Sequence, residues 1–173
     1  MKKGFTLIEL LVVVAIISLL SSVVLASLAS ARLRARDSAI VQSVNQMRIV
    51  IESDRTDYGN YAHPNVGVWF SDNAGCQSTQ PTSSFTVFGS RAKEMANICS
   101  TIIKNSDVNG WVGSGYILYL GNQFDTTNRY SVMAYLPGKK AYYCVGSGGV
   151  SDTLDATRYA SVNWAELGCY SNP

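Results

Sequence analysis

Met1-Lys2-Lys3-Gly4-Phe5-Thr6-Leu7-Ile8-Glu9-Leu10 opens the chain, and the apolar run that starts at Leu7 continues to Leu28 with one charge inside it, Glu9. The 24 residues from Phe5 to Leu28 exceed the roughly 20 that a helix needs to cross the hydrocarbon layer. Ser18, Ser21, Ser22 and Ser27 dilute the run, yet serine hydroxyls can hydrogen-bond back to the preceding turn. A secretory signal peptide places its apolar stretch ahead of a small-residue cleavage site. Here the candidate processing point, Gly4|Phe5, precedes the apolar stretch, so a cut there leaves the hydrophobic segment on the protein.

This arrangement resembles the class III leader of type IV pilins and pseudopilins, and Lys3 to Leu10 matches that family's motif without a gap. The resemblance implies that Gly4 ends a leader, residues 1–4, removed by a prepilin peptidase on the cytoplasmic face. Phe5 would then be the mature N-terminus, N-methylated by the same enzyme, and Glu9 the buried acid used in assembly. The implied fold is α+β: a long N-terminal helix, half membrane-spanning and half amphipathic, packed on a small antiparallel β-sheet head. Residues 5–29 would form the transmembrane and polymerisation half of the helix. The head, with the rest of the helix, would occupy 30–173. Many family members carry a proline within the first half of this helix, where this chain has Ala26. Any melting of the helix during polymerisation would therefore fall to the serine cluster.

The position of Glu9 has its own physical consequence. An unpaired carboxylate in an apolar layer costs several kcal/mol or is forced to take up a proton. On its own chain the one cation expected within a helical turn is the new α-amino group of Phe5. Pairing with the amino group of an adjacent subunit satisfies the acid only when a second molecule stands at the right axial stagger, which makes Glu9 a registry device. The plainer reading is a glutamate that snorkels to the membrane interface.

The helix is expected to outlast the membrane. From Ala31 to Asp54 there is no Gly or Pro, the strongest helix breakers. Leu33, Ile40, Val44, Met47 and Ile51 recur at spacings of seven, four, three and four, the stripe of an amphipathic helix facing a core. Thr6 to Asp54 would make one helix of 49 residues, roughly 70 Å at 1.5 Å per residue, with Tyr58-Gly59-Asn60 as its exit. A break near Asp37-Ser38 into two helices is the alternative. Lys2 and Lys3 favour a cytoplasmic N-terminus, whereas Arg32, Arg34 and Arg36 just beyond the span count toward the opposite orientation. The processing logic requires the cytoplasmic N-terminus.

Beyond residue 57 Gly, Ser, Asn, Thr and Tyr dominate. Ser90 is placed to cap a short helix from Arg91 to about Asn105, with Met95, Ile98 and Ile102 on one face. Gly115–Leu120, Tyr130–Leu136 and Lys140–Val145 have the aromatic and β-branched content of strands in a half-buried sheet. Leu136-Pro137-Gly138-Lys139-Lys140 between the last two predicts an antiparallel hairpin. Gly146-Ser147-Gly148-Gly149 reads as a further turn. A head of this size is enough for one core.

Cys76, Cys99, Cys144 and Cys169 all follow the span, and their wide spacing excludes a close Cys-x-x-Cys pair. An even count on an exported domain suggests two disulfides, against an alternative of free, buried thiols. Three pairings are open. Cys76–Cys99 with Cys144–Cys169 is favoured, because the second closes a C-terminal loop that resembles the disulfide-bounded loop of many type IV pilins.

Catalytic machinery is not visible. There is no nucleophile elbow, His-Glu-x-x-His or phosphate-binding glycine loop. Ser114 and Ser147 sit in glycine turns, and the lone His63 precedes Pro64 in an expected loop. Asp107, Asp125, Asp152 and Asp155 fall in expected loops and are candidate calcium ligands, by resemblance to the C-terminal loops of some pseudopilins. They lack an EF-hand ligand order, so no cofactor is expected. The chain has 14 Lys+Arg and 12 Asp+Glu. Loss of Lys2 and Lys3 would leave the two balanced, which suits close packing in a polymer and gives no basic surplus for nucleic acid. Arg32, Arg34 and Arg36, the one basic cluster, are expected to meet lipid headgroups or neighbouring helices.

The expected function is that of a structural subunit, not an enzyme. It would sit in the cytoplasmic membrane by a single span, be trimmed after Gly4, and polymerise with identical or related subunits into an extracellular type IV pilus. A prepilin peptidase, an assembly platform and an ATPase are the implied partners. Two alternatives stay open. One is a type II secretion pseudopilin forming a short periplasmic piston, and the other a single-span anchored extracellular binding domain.

Overall fold

The structure, a computed structural model, describes residues 4–58, 68–70, 75–76, 85–106, 117–121, 130–147, 149 and 151–155. Its elements in chain order are helix α1 (Leu7–Tyr58), strand β1 (Val68–Phe70), a 3₁₀ helix (Thr86–Arg91), helix α2 (Ala92–Ser106), and strands β2 (Leu118–Gly121), β3 (Ser131–Leu136), β4 (Ala141–Gly146) and β5 (Ser151–Asp155). The class is α+β, as expected. The chain divides into two compact units with the boundary between Ala35 and Arg36.

The first unit holds the apolar part of α1. Its large side chains are exposed on every side of the helix, from Leu7 and Ile8 through Val13, Ile17, Leu20 and Val24 to Leu28. A helix that is hydrophobic all round belongs in a membrane or in a bundle. This one is long and apolar enough to cross a bilayer, and the apolar window is not buried within the protein. Two of the four serines bond back as expected: Ser18 Oγ donates to the Val14 carbonyl at 2.7 Å and Ser22 Oγ to that of Leu19 at 2.8 Å. α1 is assigned without interruption through Asp37 and Ser38 and ends at Tyr58, so the two-helix alternative does not apply.

The second unit is built on the rest of α1. Ile40, Val44, Met47 and Ile51 are fully buried, and Val50 joins them. Leu33 departs from the expected stripe: it is 39% exposed, because it precedes the boundary and the core cluster begins only at Ile40. The other core walls come from Met95, Ile98, Cys99 and Ile102 of α2, from Phe85 and Phe88, and from the sheet. Phe70 of β1 stacks on Phe85 with ring centroids 5.2 Å apart.

α2 starts differently from the expected Ser90 cap. Ser90 lies inside the 3₁₀ helix, whose N-cap residue, Phe85, makes no side-chain hydrogen bond to it. Gly89, at φ +52° and ψ −118°, takes the kink between the two helical pieces, a conformation open chiefly to glycine.

The sheet is a simple antiparallel meander, β1-β2-β3-β4-β5. The expected hairpin is β3–β4, with Val132 opposite Val145, Ala134 opposite Tyr143 and Leu136 opposite Ala141. These residues face the core; Met133, Tyr135, Tyr142 and Cys144 face away from it and are buried too. The expectation of a half-buried sheet is therefore corrected for β3, all six of whose residues are buried. β1 and β5 were not anticipated. β5 follows a turn in which the Gly149 N–H donates to the Gly146 carbonyl at 3.1 Å and Gly149 sits at φ +76°.

Three polar side chains of α1 tie the helix to the hairpin. Asp37, buried, accepts the Gly138 N–H at 2.9 Å in the β3–β4 turn. Asn45 Nδ2 approaches the Tyr143 hydroxyl at 3.5 Å. Glu52 Oε1 accepts the Tyr130 hydroxyl at 2.8 Å. Each connects residues 78 to 101 positions apart in the chain, where backbone proximity alone supplies no restraint.

Candidate assembly site

Gly4, Phe5, Thr6 and Glu9 lie together at the start of α1. Gly4 is exposed, and a Cβ added there would meet nothing within 4 Å. The chain's own packing therefore does not require glycine at this position, so any demand for it comes from outside the subunit. Phe5 is 79% exposed.

Glu9 is not left waiting for a partner. Its Oε2 accepts the Thr6 backbone N–H at 2.9 Å and the Thr6 hydroxyl at 2.7 Å, while the Glu9 N–H donates to Thr6 Oγ1 at 3.3 Å. Thr6 and Glu9 are the first and fourth residues of a capping box, which satisfies otherwise orphaned N–H groups at a helix start. The expectation that a second molecule alone could satisfy this carboxylate is corrected, since two donors come from its own chain. Thr6 is the Glu9 partner that the sequence reading missed. The signal was present in Thr6-Leu7-Ile8-Glu9, a Thr-x-x-Glu pattern directly before an apolar run.

Cys76 and Cys99 form a disulfide that anchors the segment before the 3₁₀ helix to the middle of α2, with both residues buried. Cys144 is also disulfide-bonded; its favoured partner, Cys169, lies outside the described residues, as do His63, Ser114, Asp107 and Asp125. Asp152 and Asp155 were expected in loops but belong to β5, and Asp152 Oδ1 accepts the Thr153 N–H at 2.7 Å. Among the described residues no group of three or more His, Cys, Asp or Glu is placed to hold a metal. Ser147 is a turn residue whose N–H donates to the Tyr130 carbonyl at 3.1 Å.

Comparison with known proteins bears on the same segment. The family model described as the prokaryotic N-terminal methylation motif matches residues 1–25. The chain is 32% identical over 96 residues to the type IV wide pilus major component PilA4 of Thermus thermophilus, a match covering 56% of this chain and 71% of that protein. No solved structure matches. An apolar, exposed N-terminal helix followed by an α+β head supports membrane anchoring and is consistent with the type IV pilin fold. The chain belongs to the type IV pilin family.

Proposed function

We propose that this protein is a prepilin, cleaved after Gly4, N-methylated on Phe5, and polymerised through its N-terminal helix into an extracellular pilus. The observation that carries the reading is a helix apolar on every side, whose start lies within the methylation motif. Such a surface stays dry in the membrane before assembly and among other copies of the same helix afterwards. The pilus major component to which the chain is similar favours a pilus over a short secretion piston.

In this reading the subunit is stored in the cytoplasmic membrane. A prepilin peptidase, an assembly platform and an ATPase act on it from outside, and the subunit itself performs no catalysis. Glu9 has two duties. Both Thr6 donors go to Oε2, which leaves Oε1 able to accept the Phe5 amino group of a neighbouring subunit. The capping box holds the carboxylate in the monomer, and the added charge-assisted bond sets the stagger of the polymer.

Mass spectrometry of protein sheared from the cell surface is the direct test. The expected mass lacks Met1 to Gly4 and carries one added methyl group. An uncut N-terminus would sink the proposal. Glu9→Ala is expected to abolish filaments seen by electron microscopy while the head stays folded, and normal filaments from that variant would defeat the registry role.

A further inference from the structure

Arg32 and Arg34 take no part in the assembly site. They follow the apolar run, which ends at Leu28, and both are exposed. The helical part of that run, Leu7 to Leu28, is 22 residues, about 33 Å at 1.5 Å per residue, against a hydrocarbon layer of about 30 Å. α1 continues through the arginines, so they stand about 6 and 9 Å beyond Leu28 along the axis. The headgroup region adds roughly 5–8 Å per leaflet, so Arg32 stands within it and Arg34 at its outer edge.

Side-chain direction strengthens the placement. In a helix each Cα–Cβ bond tilts toward the N-terminus, and here the N-terminal side is the membrane side. A long side chain that sets out in this direction can reach back toward the phosphates along its methylene stem. Within four residues of either arginine the sequence offers one acid, Asp37. Its carboxylate is buried and holds the Gly138 N–H.

We propose that Arg32 and Arg34 form a binding site for anionic phospholipid headgroups in the leaflet at the C-terminal end of the span. The two positive charges draw the net-negative headgroup at the membrane surface, and the site fixes the depth at which the anchor rests before assembly. This rests on the membrane-spanning reading of α1 and not on polymerisation.

The test uses the full chain in lipid nanodiscs of phosphatidylcholine with a minor share of phosphatidylglycerol, with retained lipid counted by native mass spectrometry. A basic residue near an anionic surface is worth about fivefold in affinity. The Arg32→Gln/Arg34→Gln variant should therefore lose about thirtyfold of the preference for phosphatidylglycerol. Lys2 and Lys3 are unchanged in both proteins, and their contribution cancels. Arg32→Lys/Arg34→Lys, which keeps the charge, should hold the preference within about threefold.

An undiminished preference in the glutamine variant would overturn the proposal. Equal loss in the lysine variant would point to a disturbed helix and overturn it as well. Binding of inorganic phosphate by the wild type in discs lacking phosphatidylglycerol would assign the arginines to free phosphate instead and defeat the lipid site. All readouts are taken on unassembled protein, so a failure to form filaments leaves the result standing.

Discussion

Asp37 shows how much a single side chain decides in the head. Its buried carboxylate holds the β3–β4 turn by the Gly138 N–H, and a Cβ on Gly138 would stand 2.6 Å from Oδ2. Gly138→Ala is therefore expected to cost about 1–3 kcal/mol by overpacking, measured by denaturant unfolding of the head. In an Asp37→Ala background the same substitution should become nearly neutral, because the obstructing group is gone; equal costs in both backgrounds would refute the contact.

Tyr142 carries the pH dependence. Burial, and secondarily the neighbouring Tyr135, hold its phenol well above the ordinary tyrosine value, and the two rings meet edge to face at 5.4 Å. A raised pKa means that the folded state keeps the proton that the unfolded chain releases above about pH 10. The stabilisation is complete below that pH and is lost as pH rises toward the folded value. The Tm of the head should fall above pH 10, and Tyr142→Phe should flatten that fall.

At the scale of elements, α1 presents two unlike faces in its second half. Met47 and Ile51 are buried to 1% exposure or less, whereas Ile49 between them is 67% exposed. Met47→Ala or Ile51→Ala should destabilise the head by about 2–5 kcal/mol. Ile49→Ala should change stability by less than about 0.5 kcal/mol. Urea titrations of the three variants compare the faces directly. α2 needs more than its own apolar face, since it enters through a kinked 3₁₀ helix at Gly89 and is tied to Cys76 through Cys99. Such a bridge typically contributes on the order of 2–4 kcal/mol, useful to a domain with one core.

At the scale of the molecule, the boundary between Ala35 and Arg36 separates a unit that, among the described residues, contributes nothing to the core cluster from the unit that contains it. A fragment beginning at Arg36 should consequently be soluble and folded, while the full chain needs detergent or a bilayer. Analytical ultracentrifugation with near-ultraviolet circular dichroism tests this; a molten or aggregated fragment would show that the head depends on its anchor.

The N-terminal segment was legible because its information is local. Charge, apolar length and the Gly4-Phe5 junction are properties of consecutive residues, and a lipid-facing helix needs no distant partner to form. The same holds for the period of Ile40, Val44, Met47 and Ile51 and for the β3–β4 hairpin, which a short turn closes. What failed depended on partners far along the chain. Three-residue β1 is a strand only through pairing with β2, and β5, with its two aspartates, only through pairing with β4. Leu33 has the period of the core but lies before the point where the core begins. The Thr6–Glu9 box is the exception, local and readable as Thr-x-x-Glu directly before an apolar run. Sequence by itself determined the anchor, the stripe and the hairpin, whose causes lie within a few turns of chain. Only the tertiary structure decided which face of β3 is covered, where Asp37 and Glu52 find their donors, and where the core starts, because burial and long-range hydrogen bonds are properties of the packed molecule.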